Sequence, residues 1–200
     1  MVSILKVDEI QNPSTGSTVI NTKTPNELDC FYVNANLDNP DGVIHQWSRD
    51  NHSANSISVG NFPVGTGLTG PSGSGSTVNC FSFPTPGYYR IDLVWQHRTA
   101  ADDAHSGLQV LVSVDGGSNY SFLGMISSGH VDTDNQRGVK GGTFFINVPS
   151  VTGSNAVKFR INAVSFPGSG LHQVEGTSNT ATTGVMSYLL SQRIGEAVTS

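Results

Sequence analysis

The clearest alternation of hydrophobic and polar positions lies in residues 81–95. Phe81 and Phe83 are separated by one polar residue, which is typical of a short strand with one buried face. The segment 84–87 (Pro-Thr-Pro-Gly) interrupts the pattern, because proline lacks the N–H that a ladder needs and glycine accepts the positive φ of a tight turn. Beyond it every second residue is large and apolar: Tyr89, Ile91, Leu93 and Trp95. The pattern predicts a strand, a corner and a longer buried strand.

Similar runs recur along the rest of the chain. Apolar alternation predicts further strands at 27–36, 43–47, 108–114, 120–126, 143–148, 157–164 and 185–194. Asp115-Gly116-Gly117 predicts a hairpin between two of them. No window carries a sustained helical stripe, so we expect helices to be scarce. The polar stretches 96–107, 127–142 and 166–183 are predicted to be long exposed loops.

Two segments carry a family resemblance. Phe-x-Phe-Pro-x-x-Gly-Tyr-Tyr-x-Ile at 81–91 resembles the central strands of the tumour necrosis factor and complement globular-head jelly rolls. Residues 183–190 (Thr-Gly-Val-Met-Ser-Tyr-Leu-Leu) resemble the last strand of that family. The resemblance implies an all-β, two-sheet antiparallel jelly-roll sandwich over residues 26–200. It brings no catalytic residue with it.

The first 25 residues differ from the rest of the chain. Leu5, Val7 and Ile10 belong to a short alternating run, and residues 17–20 form a second one. Two such pieces bury little surface by themselves. The opening Leu-Lys-Val-Asp-x-Ile-Gln-Asn at 5–12, followed by Ser-Thr-Gly at 14–16, resembles the N-termini of tail-fibre and other structural proteins of marine tailed phages. Residues 1–25 are therefore predicted to be an extended arm that attaches to other virion proteins through Leu5, Val7 and Ile10. The alternative is an edge hairpin on the same domain.

The last predicted strand is apolar on both faces. Val185 and Leu189 point one way, whereas Met186, Tyr188 and Leu190 point the other. A strand of a monomeric sandwich usually leaves one face in water. The resembling family buries its equivalent strand near a threefold axis. We therefore expect a homotrimer with Met186, Tyr188 and Leu190 in its interface.

Composition and charge exclude several classes of protein. The 200 residues suit one β-rich domain, and only 12% of them are charged. The net charge of −5, without a cluster of Lys and Arg, argues against nucleic acid as a partner. No segment is long and apolar enough for a membrane span, and the N-terminus does not resemble a signal peptide. Cys30 and Cys80 fit no metal pattern and are predicted to be small buried side chains rather than a disulfide.

Candidate chemistry is sparse. Asp132 and Asp134 stand two residues apart, as in the start of a calcium loop, but Thr143 occupies the place of the bidentate Glu. We expect a solvated loop there, with an irregular calcium site as the alternative. The six histidines and the pair Asp102–Asp103 show no ligand spacing, and the histidines are predicted to lie in exposed loops.

The chain lacks a nucleophile–base pair, a metal triad and a cofactor fingerprint, so we predict no enzymatic activity and no cofactor. Trp95 lies on the buried face of the strand predicted at 89–95, whereas Trp47 is a candidate for stacking on a host glycan. The sequence favours a non-enzymatic phage structural protein: a trimeric fibre, knob or decoration component of the virion, assembled in the host cytoplasm, that binds a surface receptor. The alternative is a carbohydrate-binding β-sandwich module of a bacterial surface or secreted protein.

Overall fold

Strands account for nearly all the regular structure of this chain. The structure is a computed structural model that describes residues 9–11, 18–21, 27–49, 63–71, 79–99, 103–130, 136–166, 172–176 and 187–198. Those ranges contain fourteen strands and one 3-10 turn at Gly153–Asn155, and no helix in them could span a membrane. The strands are β1 (Glu9–Gln11), β2 (Thr18–Asn21), β3 (Leu28–Val33), β4 (Leu37–Asp38), β5 (Gly42–Val43), β6 (Trp47–Arg49), β7 (Phe81–Ser82), β8 (Gly87–Thr99), β9 (Asp103–Ser113), β10 (Ser121–His130), β11 (Gln136–Val148), β12 (Lys158–Val164), β13 (His172–Val174) and β14 (Tyr188–Gly195).

The larger sheet is built around β8. It has seven strands in the order β4-β13-β8-β14-β3-β6, and β11 pairs with the other side of β8. β11 follows β8 along its whole length, from Gln136 opposite Thr99 to Val148 opposite Gly87. β14 and β13 share the opposite side of β8, one after the other. The segment with the strongest alternation in the sequence therefore forms the centre of the sheet.

The second sheet has five strands and covers one face of the first. Its order is β10-β9-β12-β5, with β7 also paired to β12, and all pairings are antiparallel. The predicted all-β, two-sheet antiparallel sandwich is confirmed. The predicted hairpin at 115–117 is confirmed as well, because it joins β9 to β10 and uses positive φ at Gly116 (73°) and Gly117 (98°).

The core lies between the two sheets and is rich in aromatic rings. Tyr89, Ile91, Leu93 and Trp95 are each at most 1% exposed, as the alternation predicts. From the facing sheet, Phe81 and Phe159 stack with their centroids 4.8 Å apart. Residues 84–86 carry the chain from Phe83 across to β8, which is the predicted corner.

Two buried carboxylates hold β3 against the loops at one end of the sandwich. Glu27 accepts hydrogen bonds from the hydroxyls of Tyr89 (2.6 Å) and Thr85 (2.9 Å). Asp29 accepts from the backbone N–H of Leu68 (2.8 Å) and pairs with Arg49 (3.0 Å). Burial and then the hydrogen bond to Glu27 raise the pKa of the Tyr89 phenol above its ordinary value.

Two of the predicted loops are largely strand. β8 continues to Thr99 and β9 begins at Asp103, and likewise β10 continues to His130 and β11 begins at Gln136. The third predicted loop, 166–183, contains the short strand β13. The polar residues that suggested loops satisfy their backbone groups in long antiparallel ladders, because the pairing of β11 with β8 and of β10 with β9 outweighs their weak strand propensity.

The prediction of exposed loop histidines is wrong for four of the six, because His97, His105, His130 and His172 lie in strands, and two of these four are buried. His97 on β8 is 6% exposed and His172 on β13 is 1% exposed. Glycine makes room for one of them, since a Cβ at Gly138 would stand 2.5 Å from the His97 ring. His97 Nε2 lies 3.3 Å from the hydroxyl of Ser128. A buried imidazole with hydrogen-bond partners is compatible with the interior.

The first two strands form a sheet of their own. β1 and β2 pair antiparallel, with Ile10 opposite Ile20. The predicted short strands in residues 1–25 are therefore present. Leu5 and Val7 lie outside the described residues. The division into an arm and a domain stays a prediction.

Candidate functional site

The outer face of the seven-stranded sheet carries large apolar side chains that the second sheet does not cover. We call it the aromatic face, and its members are Tyr32, Tyr88, Val94, Phe145, Tyr188 and Leu190. Five of the six are partly buried, and Phe145 is 50% exposed. Contiguous apolar surface outside the core marks interaction sites in globular proteins.

Strand register places Tyr188 at the middle of the aromatic face. Tyr188 lies opposite Tyr32 on β3 and opposite Val94 on β8. Leu190 lies two residues further along the same face, whereas Leu189 between them is fully buried in the core. The predicted division of this strand into two apolar faces is thus observed for Leu189, Tyr188 and Leu190. Met186 lies outside the described residues.

The rest of the aromatic face mixes rings with a polar cluster. Tyr88 and Phe145 stack with centroids 6.1 Å apart and planes within 6°. Beside them, Asp92 pairs with Arg90 at 2.9 Å and accepts a hydrogen bond from the Thr143 hydroxyl at 2.5 Å. The cluster gives the face directional polar groups as well as apolar area, which together favour one orientation of a partner.

A second exposed apolar group lies on β10, at the edge of the five-stranded sheet. We call it the β10 patch: Phe122, Leu123 and Met125, exposed by 62%, 42% and 41%. The ladder with β9 is irregular between Phe122 and Gly124. Such a bulge turns adjacent side chains outward.

A cleft of about 280 Å³ lies at another corner of the sandwich, lined by residues 36–46. Its lining residues include Asp38, Asp41, His45 and Val43, together with Ile44, which is only 2% exposed. Asp41 and His45 are exposed to solvent.

Trp47 follows this cleft and belongs to the core. It is 6% exposed, packs edge-on against Phe81 at 5.8 Å, and donates its indole N–H to the carbonyl of Ile44 at 3.0 Å. A ring covered in this way cannot stack on a sugar, so the prediction that Trp47 contacts a glycan is wrong. Its apolar ring fits between the sheets because its one polar atom is satisfied by the backbone.

The remaining candidates of the sequence fall into two groups. Asp102, Asp132 and Asp134 lie outside the described residues, so the calcium hypothesis stays a prediction. Among the side chains that are described, no group of three or more His, Cys, Asp or Glu could hold a metal ion. Cys30 is half-buried and Cys80 is buried, and the two do not form a disulfide with each other.

Comparison with known proteins supports the fold assignment. No protein-family model and no curated protein matches the chain. The solved structure of Eiger TNF from S. frugiperda aligns with 88% of this chain and 96% of its own, with a TM-score of 0.59 and 8% identity. This chain therefore has a TNF-like jelly-roll fold. A crystal structure of murine APRIL aligns with 84% of this chain and 99% of its own at 10% identity, with a TM-score of 0.46, too low to add to the assignment.

The likeness to Eiger TNF concerns the backbone alone, because 8% identity transfers no site residue. The site therefore rests on the side chains of this chain. Sequence reasoning missed four members of the aromatic face, Tyr32, Tyr88, Val94 and Phe145, and all of the β10 patch. Two adjacent pairs of large apolar residues, Phe144–Phe145 and Phe122–Leu123, could have indicated these surfaces. Neighbouring side chains on a strand point to opposite faces, so one residue of each pair must lie outside the core.

Proposed function

We propose that this chain is a non-enzymatic structural component of a phage virion, a trimeric fibre, knob or decoration protein that binds a host surface receptor. The observation that carries the proposal is the aromatic face. Tyr188 and Tyr32 lie side by side on a sheet surface that a monomer leaves in contact with water. A partner molecule that covers this face removes apolar area from water at about 25 cal/mol per Å².

A homotrimer is the simplest partner arrangement. A closed ring of three needs a heterologous contact, in which one surface of a protomer meets a different surface of the next. The aromatic face supplies the first surface, and the β10 patch supplies a second one of matching apolar character. The resemblance of residues 183–190 to the last strand of TNF-like proteins supports the same arrangement.

The virion assignment rests on the N-terminal sequence. Residues 1–25 resemble the arms of phage structural proteins, and β1 and β2 pair with each other rather than with either large sheet. A small hairpin gains stability by packing on another protein, because two strands alone bury little. In this proposal the hairpin attaches the trimer to the particle and leaves the jelly roll facing the host.

Two measurements test the proposal. Light scattering at micromolar concentration should give three times the mass of the chain, and a monomer would end the trimer hypothesis. Mass spectrometry of purified phage particles from an infected culture should detect the chain. If it occurs instead in the cell envelope or the culture medium and is absent from particles, the alternative of a bacterial carbohydrate-binding module takes precedence.

A further inference from the structure

We propose that the cleft lined by residues 36–46 binds a single sugar ring that carries no negative charge, either a neutral sugar or an amino sugar. This inference rests on the proposed receptor-binding role and gives it a location. It moves glycan recognition from the buried ring of Trp47 to the surface of the segment that precedes it.

The chemistry of the lining matches the two kinds of surface on a sugar ring. Asp41 offers an exposed carboxylate, and Asp38 offers the carboxylate oxygen that Gln173 does not contact. These oxygens accept hydrogen bonds from hydroxyl or ammonium donors. The amide oxygens of Asn36 and Gln46 already accept from the backbone N–H groups of Gly176 and His45, so these two side chains offer their NH₂ groups as donors. Val43, which is partly buried, adds apolar contact for the C–H face of a ring, whereas the side chain of Ile44 belongs to the core at 2% exposure. Small-molecule sites usually combine an apolar lining with a few polar groups in this way.

Charge selects among sugars. No Lys or Arg lines the cleft, whereas two carboxylates do, and the whole chain carries a net charge of −5. A uronic acid, a sialic acid or a sulfated sugar would place its anion beside these carboxylates without a Lys or Arg side chain to pair with. Like charges in contact are unfavourable, so acidic sugars are excluded.

Size limits the ligand to one ring. The volume of about 280 Å³ corresponds to roughly nine water molecules at 30 Å³ each and lies at the lower end of small-molecule pockets. Longer glycans therefore leave all but one residue outside the cleft. Three copies on a trimer can compensate for the weak binding of one ring by multivalency.

The backbone of the cleft is fixed by the elements around it. Trp47 holds the carbonyl of Ile44, while the N–H of Ile44 donates to Ile161 on β12 at 2.9 Å. On the other side, Asn39 and His172 exchange two hydrogen bonds, one from each backbone N–H. A site held in place before binding loses less entropy when the ligand arrives.

Methyl NMR of the whole protein tests the inference directly. The methyl groups of Leu37, Val43 and Ile44 report on the cleft. The probes are the methyl glycosides of glucose, galactose, mannose and N-acetylglucosamine, together with glucosamine, glucuronate and N-acetylneuraminate. At least one neutral or amino sugar should shift these signals saturably in the millimolar range, and the two acids should not. Absence of any shift, equal shifts with the acids, or the same shifts with CaCl₂ and none with sugars would each overturn it.

A pair of variants locates the binding. Asp41→Ala removes an exposed carboxylate from the cleft and should weaken the binding of the active sugar about tenfold or more. Glu196→Ala removes a 69% exposed carboxylate that does not line the cleft and should leave the binding unchanged. Equal affinity of Asp41→Ala and the unmodified protein would also contradict the proposal.

Light scattering on the same samples separates this inference from the trimer proposal. A trimer that binds no sugar contradicts the proposed sugar site but is consistent with the trimer proposal. A monomer that binds a neutral sugar contradicts the trimer proposal but is consistent with the proposed sugar site.

Discussion

Tyr188 on β14 lies directly opposite Tyr32 on β3, on the side of the seven-stranded sheet that faces away from the core. Both rings are only partly buried, whereas their neighbours Leu189 and Phe31 are 0% and 4% exposed on the opposite side. The same two strands therefore serve two apolar surfaces. One of these surfaces is the core, and the other is the contact that we assign to a neighbouring subunit.

Replacing Tyr188 by Asp should convert the trimer to monomers. An aromatic ring at the centre of a well-packed interface contributes about 2–4 kcal/mol, and a carboxylate at that place adds an unpaired charge. Light scattering measures the mass, and far-UV circular dichroism checks that the strands persist. Val114→Asp is the matched control, because Val114 is 69% exposed and outside both apolar surfaces.

The heterologous contact gives a sharper form of the same experiment. Phe122→Asp in the β10 patch should also yield monomers, because it damages the other half of the same interface. Mixing it with Tyr188→Asp leaves one intact face and one intact patch, so heterodimers should form and trimers should not. If the mixture stays monomeric while each parent protein is folded, the pairing of these two surfaces is wrong.

The purified protein should not hydrolyse polysaccharides. This expectation follows from the proposed non-enzymatic role and from a sequence in which we identify no nucleophile–base pair. Reducing-end assays on a panel of bacterial polysaccharides check this. Turnover that is lost in Asp102→Ala or Asp103→Ala would contradict the proposed non-enzymatic role.

Stability should depend on Asp115 above about pH 4 and lose that dependence near pH 2. The backbone N–H of Asn119, followed by the hydroxyl of Ser113, lowers the pKa of the Asp115 carboxyl from 3.8 to about 2. A lowered folded-state pKa stabilises the fold above the unfolded pKa, and the gain disappears as pH falls through the folded pKa. Melting temperatures of Asp115→Ala and the unmodified protein should therefore differ at pH 6 and converge towards pH 2. A constant difference would contradict this.

The central strands could be predicted from the sequence because their apolar side chains alternate without interruption. The segment 89–95 has the alternating pattern of a strand with one buried face. The structure buries its four apolar residues, Tyr89, Ile91, Leu93 and Trp95, to 1% exposure or less. The turn at 115–117 was predictable for a similar reason, since positive φ restricts the residue types.

The ends of the long strands could not be predicted, because tertiary pairing decides them. Gly138 looks like a loop residue, yet it lies in β11 opposite His97 and leaves space for the imidazole. The Trp47 ring is buried because it packs against Phe81, which is distant in the sequence, and because its single polar atom donates to the carbonyl of Ile44. Both contacts exist only in the folded chain, so the sequence pattern does not reveal them. The cleft depends in the same way on β12 and β13.

Deleting residues 1–25 should leave a folded trimer that no longer enters the particle. β1 and β2 pair with each other and take no part in the seven-stranded or the five-stranded sheet, so their loss leaves both sheets complete. Circular dichroism and light scattering check the truncated protein, and mass spectrometry of particles measures its incorporation. Normal incorporation would leave only the alternative that the segment is an edge hairpin.

Tyr89→Phe should destabilise the domain although it removes a single oxygen. The Tyr89 hydroxyl donates to Glu27 at 2.6 Å, and both residues are buried, with exposures of 1% and 4%. Without that donor the Glu27 carboxylate keeps the hydroxyl of Thr85 but loses its shorter hydrogen bond. A buried hydrogen bond to a charged group contributes about 1.5–3 kcal/mol, so the free energy of unfolding should fall by that amount.

Urea unfolding at pH 7 measures the change, with Tyr88→Phe as the matched control, because the partly exposed Tyr88 stacks on Phe145 with the ring that Phe retains. Thr85→Val removes the second donor to the same carboxylate. The combination with Tyr89→Phe should cost more than the sum of the two, since Glu27 would then be buried without either hydroxyl. Strict additivity, or equal stability of Tyr89→Phe and the unmodified protein, would show that Glu27 does not depend on these hydroxyls.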